Sequence, residues 1–178
     1  MPDVRSPIDS GNLANANAAN TSKAPQLYLE DIVTGQQFTS ASRQITADEI
    51  KRFAQQFDPQ PFHLDEEAAK STFFGGLAAS GWHTAGITMR LLVESGMPLA
   101  GGIIGAGGEI TWPQATRPDD VLHVVTEVIS VTPSRSRPDR GFIQARSQTF
   151  NQKGEVVQLL LAKLMVWLYK RNTRRTVA

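Results

Sequence analysis

The second half of the chain holds four long, β-branched, alternating segments in succession, GGIIGAGGEITWPQ, DDVLHVVTEVISVTPS, RGFIQARSQTFNQ and EVVQLLLAKLMVWLYK, separated by Pro, Asp, Gly and Asn-Gln-Lys-Gly turns. A period of two turns alternate side chains to opposite faces of a sheet, and short turns join antiparallel neighbours. Immediately before them lies a segment of another kind. Ser80 to Glu94, SGWHTAGITMRLLVE, is apolar on nearly all sides at helical spacing, the pattern of a helix enclosed by a sheet and a neighbour, and SGMP ends it. Four strands after one enclosed helix predict an α+β fold: an antiparallel sheet with a helix on its face. There is no internal repeat.

The first half supplies shorter elements. Residues 1–25, rich in Asn, Ala, Ser and Pro without apolar periodicity, read as a disordered extension. A single domain is expected over residues 26–170, followed by a basic tail over 171–178; 178 residues suit one domain and its extensions. Apolar residues return at LYLEDIVTGQQF, and FTSASRQI has the look of one short strand. Thr46 and Glu49 form a capping box, and Ile50, Phe53, Ala54 and Phe57 share one face of the helix it opens, with Phe57 closing that face as core. Pro59 ends the helix. LDEEAAKSTFF predicts one or two short helical turns, with Asp65 as cap and Glu66 as a first-turn acid, and GGLAAS a loop.

Composition mainly excludes. A formal charge of +1 provides no field to attract nucleic acid or an acidic membrane. The absence of cysteine rules out disulfides and thiolate metal sites, and with three His any zinc site needs carboxylates as well, so no metal is expected. No run reaches the ~18 apolar residues of a membrane span, and no basic stretch followed by an apolar core opens the chain; a cytoplasmic location is expected.

The chemistry concentrates in FDPQPFHLDEEAA, Phe57 to Ala69. Asp58 and His63 stand five positions apart with two prolines between them, and prolines fix φ. Such a pair suits acid and base work on one small molecule, for instance a water held between carboxylate and imidazole. The same spacing also reads as a turn-forming Asp before Pro and a hydrogen-bonded loop His. His83, one turn into the central helix, reads as a satisfied interior histidine, and His123 as a residue on a half-exposed sheet face.

FDPQPFHLDEEAA resembles the hydratase signature of MaoC-like dehydratases and (R)-specific enoyl-CoA hydratases, with Asp58, Pro61 and His63 coinciding. GGLAASGWHTA resembles the entrance to that family's central helix, and ITWPQATRPDDVL its Pro and Arg-Pro-Gly-Asp strand pair. The likeness spans about Leu27 to Tyr169. It implies the hot-dog fold, a long antiparallel sheet wrapped around one helix, paired as a homodimer or a dimer of dimers.

The resemblance further implies syn addition of water to a trans-2-enoyl thioester and the reverse dehydration, with coenzyme A as part of the substrate and no separate cofactor. Asp58 and His63 would then be the catalytic pair, and the Gly81 amide the donor to the thioester oxygen; Gly81 also reads as a residue allowing tight packing. Phe57 stands where the signature has Gly, and Gln60 where it has Asn, so both are expected in the pocket wall. Asp119 replaces a frequent Gly in a turn. Trp112 is placed either in an acyl tunnel or in core or dimer interface. Lys170, Arg171, Arg174 and Arg175 could meet coenzyme A phosphates or form a solvated tail. Two other functions fit the fold: a non-catalytic acyl-thioester binder, and a thioesterase, for which Glu94 is the only carboxylate on the central helix.

Overall fold

The computed structural model describes residues 26–169. The expected extension over residues 1–25 and the basic residues Lys170, Arg171, Arg174 and Arg175 lie outside the described residues.

Six strands form one sheet: β1 (Gln37–Thr39), β2 (Arg43–Gln44), β3 (Ile104–Thr111), β4 (Val121–Pro133), β5 (Arg140–Phe150) and β6 (Val156–Trp167). The order is β1-β4-β5-β6-β3, with β2 also on β4, and every pairing is antiparallel. The four long strands match the four alternating segments, and in β5 alternate residues from Gly141 to Thr149 are buried. FTSASRQI is two strands rather than one. Between them the Ser40 hydroxyl accepts the Val124 amide at 2.9 Å, so a side chain carries the ladder where the backbone turns away.

The helices are α1 (Ala47–Phe57), α2 (Pro61–Leu64), α3 (Glu66–Lys70) and α4 (Gly81–Leu91), of which α4 packs on the sheet and α2 lies between α1 and α3. A π-helical turn, Leu92–Gly96, extends α4. At the start of α1 the Glu49 carboxylate accepts the Thr46 amide at 3.0 Å while Thr46 Oγ1 accepts the Glu49 amide at 3.3 Å, the capping box read from sequence. The chain leaves the helix at Asp58, whose φ of −151° and ψ of 68° are non-helical, as Pro59 requires. Asp65 caps α3 by accepting the amides of Glu67 and Ala68, each at 2.8 Å.

Thr84, Ile87, Thr88 and Leu91 of α4 face the sheet, and Ile87 and Leu91 join Ile50, Leu122, Val124 and Val157 in a core cluster. This is the hot-dog arrangement. Two expectations need correction. The central helix is not enclosed on all sides within one chain: Trp82, Met89 and Val93 are 63%, 43% and 63% exposed, because the sheet covers only one face of it. Phe57 is not core either. It is 66% exposed, since α1 buries Ile50 and Ala54, and its last turn passes the edge of that contact and leaves Phe57 beside the Phe53 ring.

Candidate active site

The end of α1 and the short helix α2 bring Asp58 and His63 together: His63 Nε2 lies 3.4 Å from Asp58 Oδ2. Gln60 caps α2, Pro61 takes its first position, where a missing N–H costs nothing, and His63 falls in the same turn. The His63 ring is buried, and its Nδ1 lies 2.7 Å from the Ala78 carbonyl oxygen. A carbonyl can only accept, so Nδ1 carries a proton and, in the neutral ring, Nε2 presents a lone pair to Asp58. A lone pair and a carboxylate do not bond to each other. A donor between them, such as a water giving one hydrogen to each, satisfies both.

Gln60 Nε2 donates to the other carboxylate oxygen, Asp58 Oδ1, at 2.7 Å. Burial acts to raise the Asp58 pKa, but side-chain hydrogen bonds from Ser80 and Gln60 and the charge of His63 outweigh it and hold the carboxyl below its ordinary range. Asp58 is therefore an ionised acceptor at neutral pH.

Ser80 also caps α4, accepting the Trp82 amide at 3.3 Å. The residue whose hydroxyl lowers the Asp58 pKa thus also stands at the helix start. The Gly81 amide beside it has no acceptor among the described residues, as befits the first turn of a helix. Gly81 also packs tightly: a Cβ there would lie 2.8 Å from Cε2 of Trp112. The tight packing read for this glycine from the sequence is thus present.

A cavity of about 600 Å³ joins these groups, with Asp58, Gln60, His63, Ser80, Gly81 and Trp112 among its walls. Phe62, Phe74 and Trp82 make it largely aromatic, and Arg117 lines it as well. Arg117 donates to the carbonyls of Phe74, Gly76 and Leu77 at 2.5, 2.8 and 3.1 Å, fixing the segment that leads to Ala78. Phe57 does not line the cavity, so the pocket role expected for it is withdrawn.

The remaining candidates fall elsewhere. His83 is half-buried and stacked on Phe53 with centroids 4.6 Å apart, and its Nδ1 lacks a partner among the described residues, so it is not the satisfied interior histidine expected. Burial lowers its pKa, opposed by Glu49 and assisted by Arg43 and Arg52. His123 stacks on Phe150 on a half-exposed face, away from the cavity. Asp119 adopts φ 67°, the left-handed conformation that a glycine takes readily, and serves a turn. Glu94 pairs with Arg90 at 2.7 Å on the surface. Sequence reasoning missed Ser80, Arg117 and Gln158; only Ser80, directly before the helix, carried a local signal, that of a cap.

Residues 31–139, more than half of the chain, match the model of the MaoC like domain. The chain belongs to the MaoC-like dehydratase family. A crystal structure of a MaoC-like dehydratase from Rhodospirillum rubrum superimposes with a TM-score of 0.80 and 61% identity, covering 82% of this chain and 99% of that one. The uncharacterized protein YdeM of Bacillus subtilis is 38% identical over 130 residues, 71% of this chain and 89% of its own length. A 3-hydroxybutyryl-CoA dehydratase of Methylorubrum extorquens is 32% identical over 114 residues, 62% of this chain and 69% of its own. The family match includes the whole Asp58 to Ser80 region. Among the described residues no helix is long and apolar enough to cross a membrane.

Proposed function

We propose that this MaoC-like protein is an (R)-specific enoyl-CoA hydratase, and in reverse a 3-hydroxyacyl-thioester dehydratase, adding water syn across a trans-2-enoyl thioester. The carrying observation is the committed Nδ1 of His63, which leaves Nε2 and an ionised Asp58 as two acceptors facing one point. A water donating to both has its oxygen lone pairs directed outward, toward a substrate carbon. As that oxygen bonds to Cβ, its proton passes to one of the pair, and the π electrons move through Cα onto the thioester oxygen. The Gly81 amide receives this enolate charge. The proton then returns to Cα from the same face, which gives syn stereochemistry. No electrons are exchanged with a cofactor.

Family membership and the kinship with a 3-hydroxybutyryl-CoA dehydratase support this reading. Thioester hydrolysis is less well supported, because Glu94 is paired with Arg90 and does not line the cavity. The exposed stripe of α4 and the open edge of β3 support pairing of two chains, as a homodimer or a dimer of dimers.

Loss of absorbance of the conjugated thioester on hydration of crotonyl-CoA and longer trans-2-enoyl-CoAs tests the function. Wild type should be active, and Asp58→Asn and His63→Ala should each lose about 10²- to 10⁴-fold in kcat/KM. An inert wild type that still binds acyl-CoA would favour the non-catalytic module; release of free thiol would favour the thioesterase.

A further inference from the structure

We infer that Trp112, held in place by Gln158, closes the acyl site and restricts it to short-chain enoyl thioesters; the inference rests on the hydratase reading above. Gln158, on β6, is fully buried. Its Oε1 accepts the Trp112 indole N–H at 3.0 Å, while its Nε2 has no partner among the described residues. A buried amide left half-paired is destabilising, and a leucine would fill similar space without that cost. The neighbouring polar pair is satisfied without it: Thr149, opposite Gln158 on β5, bonds Thr88 at 2.7 Å. The one thing the Gln158 side chain secures is the position of Trp112.

Trp112 is fixed from three directions. Its N–H is taken by Gln158, its edge meets Trp82 with ring centroids 5.5 Å apart, and its face lies so close to Gly81 that a Cβ would collide. The ring therefore stands beside the amide assigned to the thioester oxygen. Along the same wall Thr84 donates to Thr116 at 2.9 Å, and both residues are buried. An acyl chain growing past the reacting carbons on this side meets the indole and then a closed hydroxyl pair. On this side further methylenes fit only by displacing the ring, which breaks its N–H bond and leaves Gln158 unpaired at both ends of its amide. Trp112 is thus a specificity-determining wall, and Gln158 a positioning residue that acts through it.

The test is the ratio of kcat/KM for trans-2-octenoyl-CoA to that for crotonyl-CoA. Wild type should favour crotonyl-CoA, and Trp112→Ala should raise the ratio by about 10-fold or more, the scale on which pocket shape discriminates methylenes. Gln158→Leu should raise it less, mainly through KM for the longer substrate, with an equal or higher unfolding midpoint because the orphan amide is gone. If Trp112→Ala fails to fold, Trp112→Phe, which keeps an aromatic ring but loses the indole N–H, should shift the ratio at least as far as Gln158→Leu does. A wild type that prefers octenoyl-CoA, or a ratio unmoved in these variants, overturns the inference while leaving the hydratase reading intact. If wild type hydrates neither substrate, the hydratase reading fails, and calorimetric binding of butyryl-CoA against octanoyl-CoA decides the wall: the same preference and its loss in Trp112→Ala uphold it, and equal binding overturns it.

Discussion

Gln60 and His63 flank the two oxygens of Asp58: the Gln60 amide donates to Oδ1 at 2.7 Å, and His63 Nε2 stands 3.4 Å from Oδ2. Burial pushes the Asp58 pKa up, and the hydrogen bonds of Ser80 and Gln60 and the charge of His63 bring it below its ordinary value. Removing one donor raises it again. Gln60→Ala should therefore move the acid limb of the kcat/KM profile to higher pH, and Gln60→Glu should move it further by adding a like charge. The sign for stability follows from linkage. A carboxylate with a depressed folded pKa contributes stability above its unfolded pKa and loses it as pH falls through the folded pKa. Thermal melts between neutral pH and about pH 3 should show this loss beginning at higher pH in Gln60→Ala than in wild type. An acid limb that stays in place in both variants would exclude Gln60 from control of Asp58.

Arg117 reaches the site indirectly. Its guanidinium spans the carbonyls of Phe74, Gly76 and Leu77, and the next residue, Ala78, supplies the carbonyl that accepts from His63 Nδ1. Arg117→Ala should lower stability by about 1.5–3 kcal/mol, the range for charged hydrogen bonds. It should also reduce kcat more than it raises KM, because His63 loses the acceptor that sets its tautomer. Lysine presents a single point of charge in place of the planar fork, so Arg117→Lys should rescue little. Urea unfolding with steady-state kinetics measures both effects; a variant of full stability and full rate would show that the clamp does not fix Ala78.

The features legible in the sequence are those written in local periodicity. The four long strands, the Thr46 and Glu49 capping box and the Asp65 cap all depend on residues within a few positions of one another, and each stands where the pattern puts it. The misjudged features depend on distant partners. Phe57 shares a helix face with Ile50, but how far the core extends beneath that face is decided elsewhere in the fold. The break within FTSASRQI exists because the Ser40 side chain meets Val124 across 84 residues. In the site, the five-residue spacing of Asp58 and His63 across two prolines also fits a turn, and it is the likeness to the family signature that pairs them. Arg117 lies about 40 residues from the carbonyls it holds and Trp112 46 from Gln158, so no spacing announces either contact.

Trp82, Gly86, Met89 and Val93 recur at intervals of four, three and four residues and form one exposed stripe along α4 and its π-helical extension. Strand β3 pairs with β6 on one side only, and nearly all its residues are exposed. An apolar stripe and an unpaired strand edge on one chain are both features that association removes. In a two-fold pair the same surface meets itself, so a charge placed near the axis faces its own copy and repels it. Met89 and Val93 are the residues to change, since neither lines the cavity that holds Asp58 and His63. Light scattering after size exclusion should give twice or four times the chain mass for wild type, and the monomer mass for Met89→Glu combined with Val93→Glu. Unchanged far-ultraviolet circular dichroism would show that the doubly substituted chain still folds. A wild type that runs as a monomer at micromolar concentration would rule out pairing through this face.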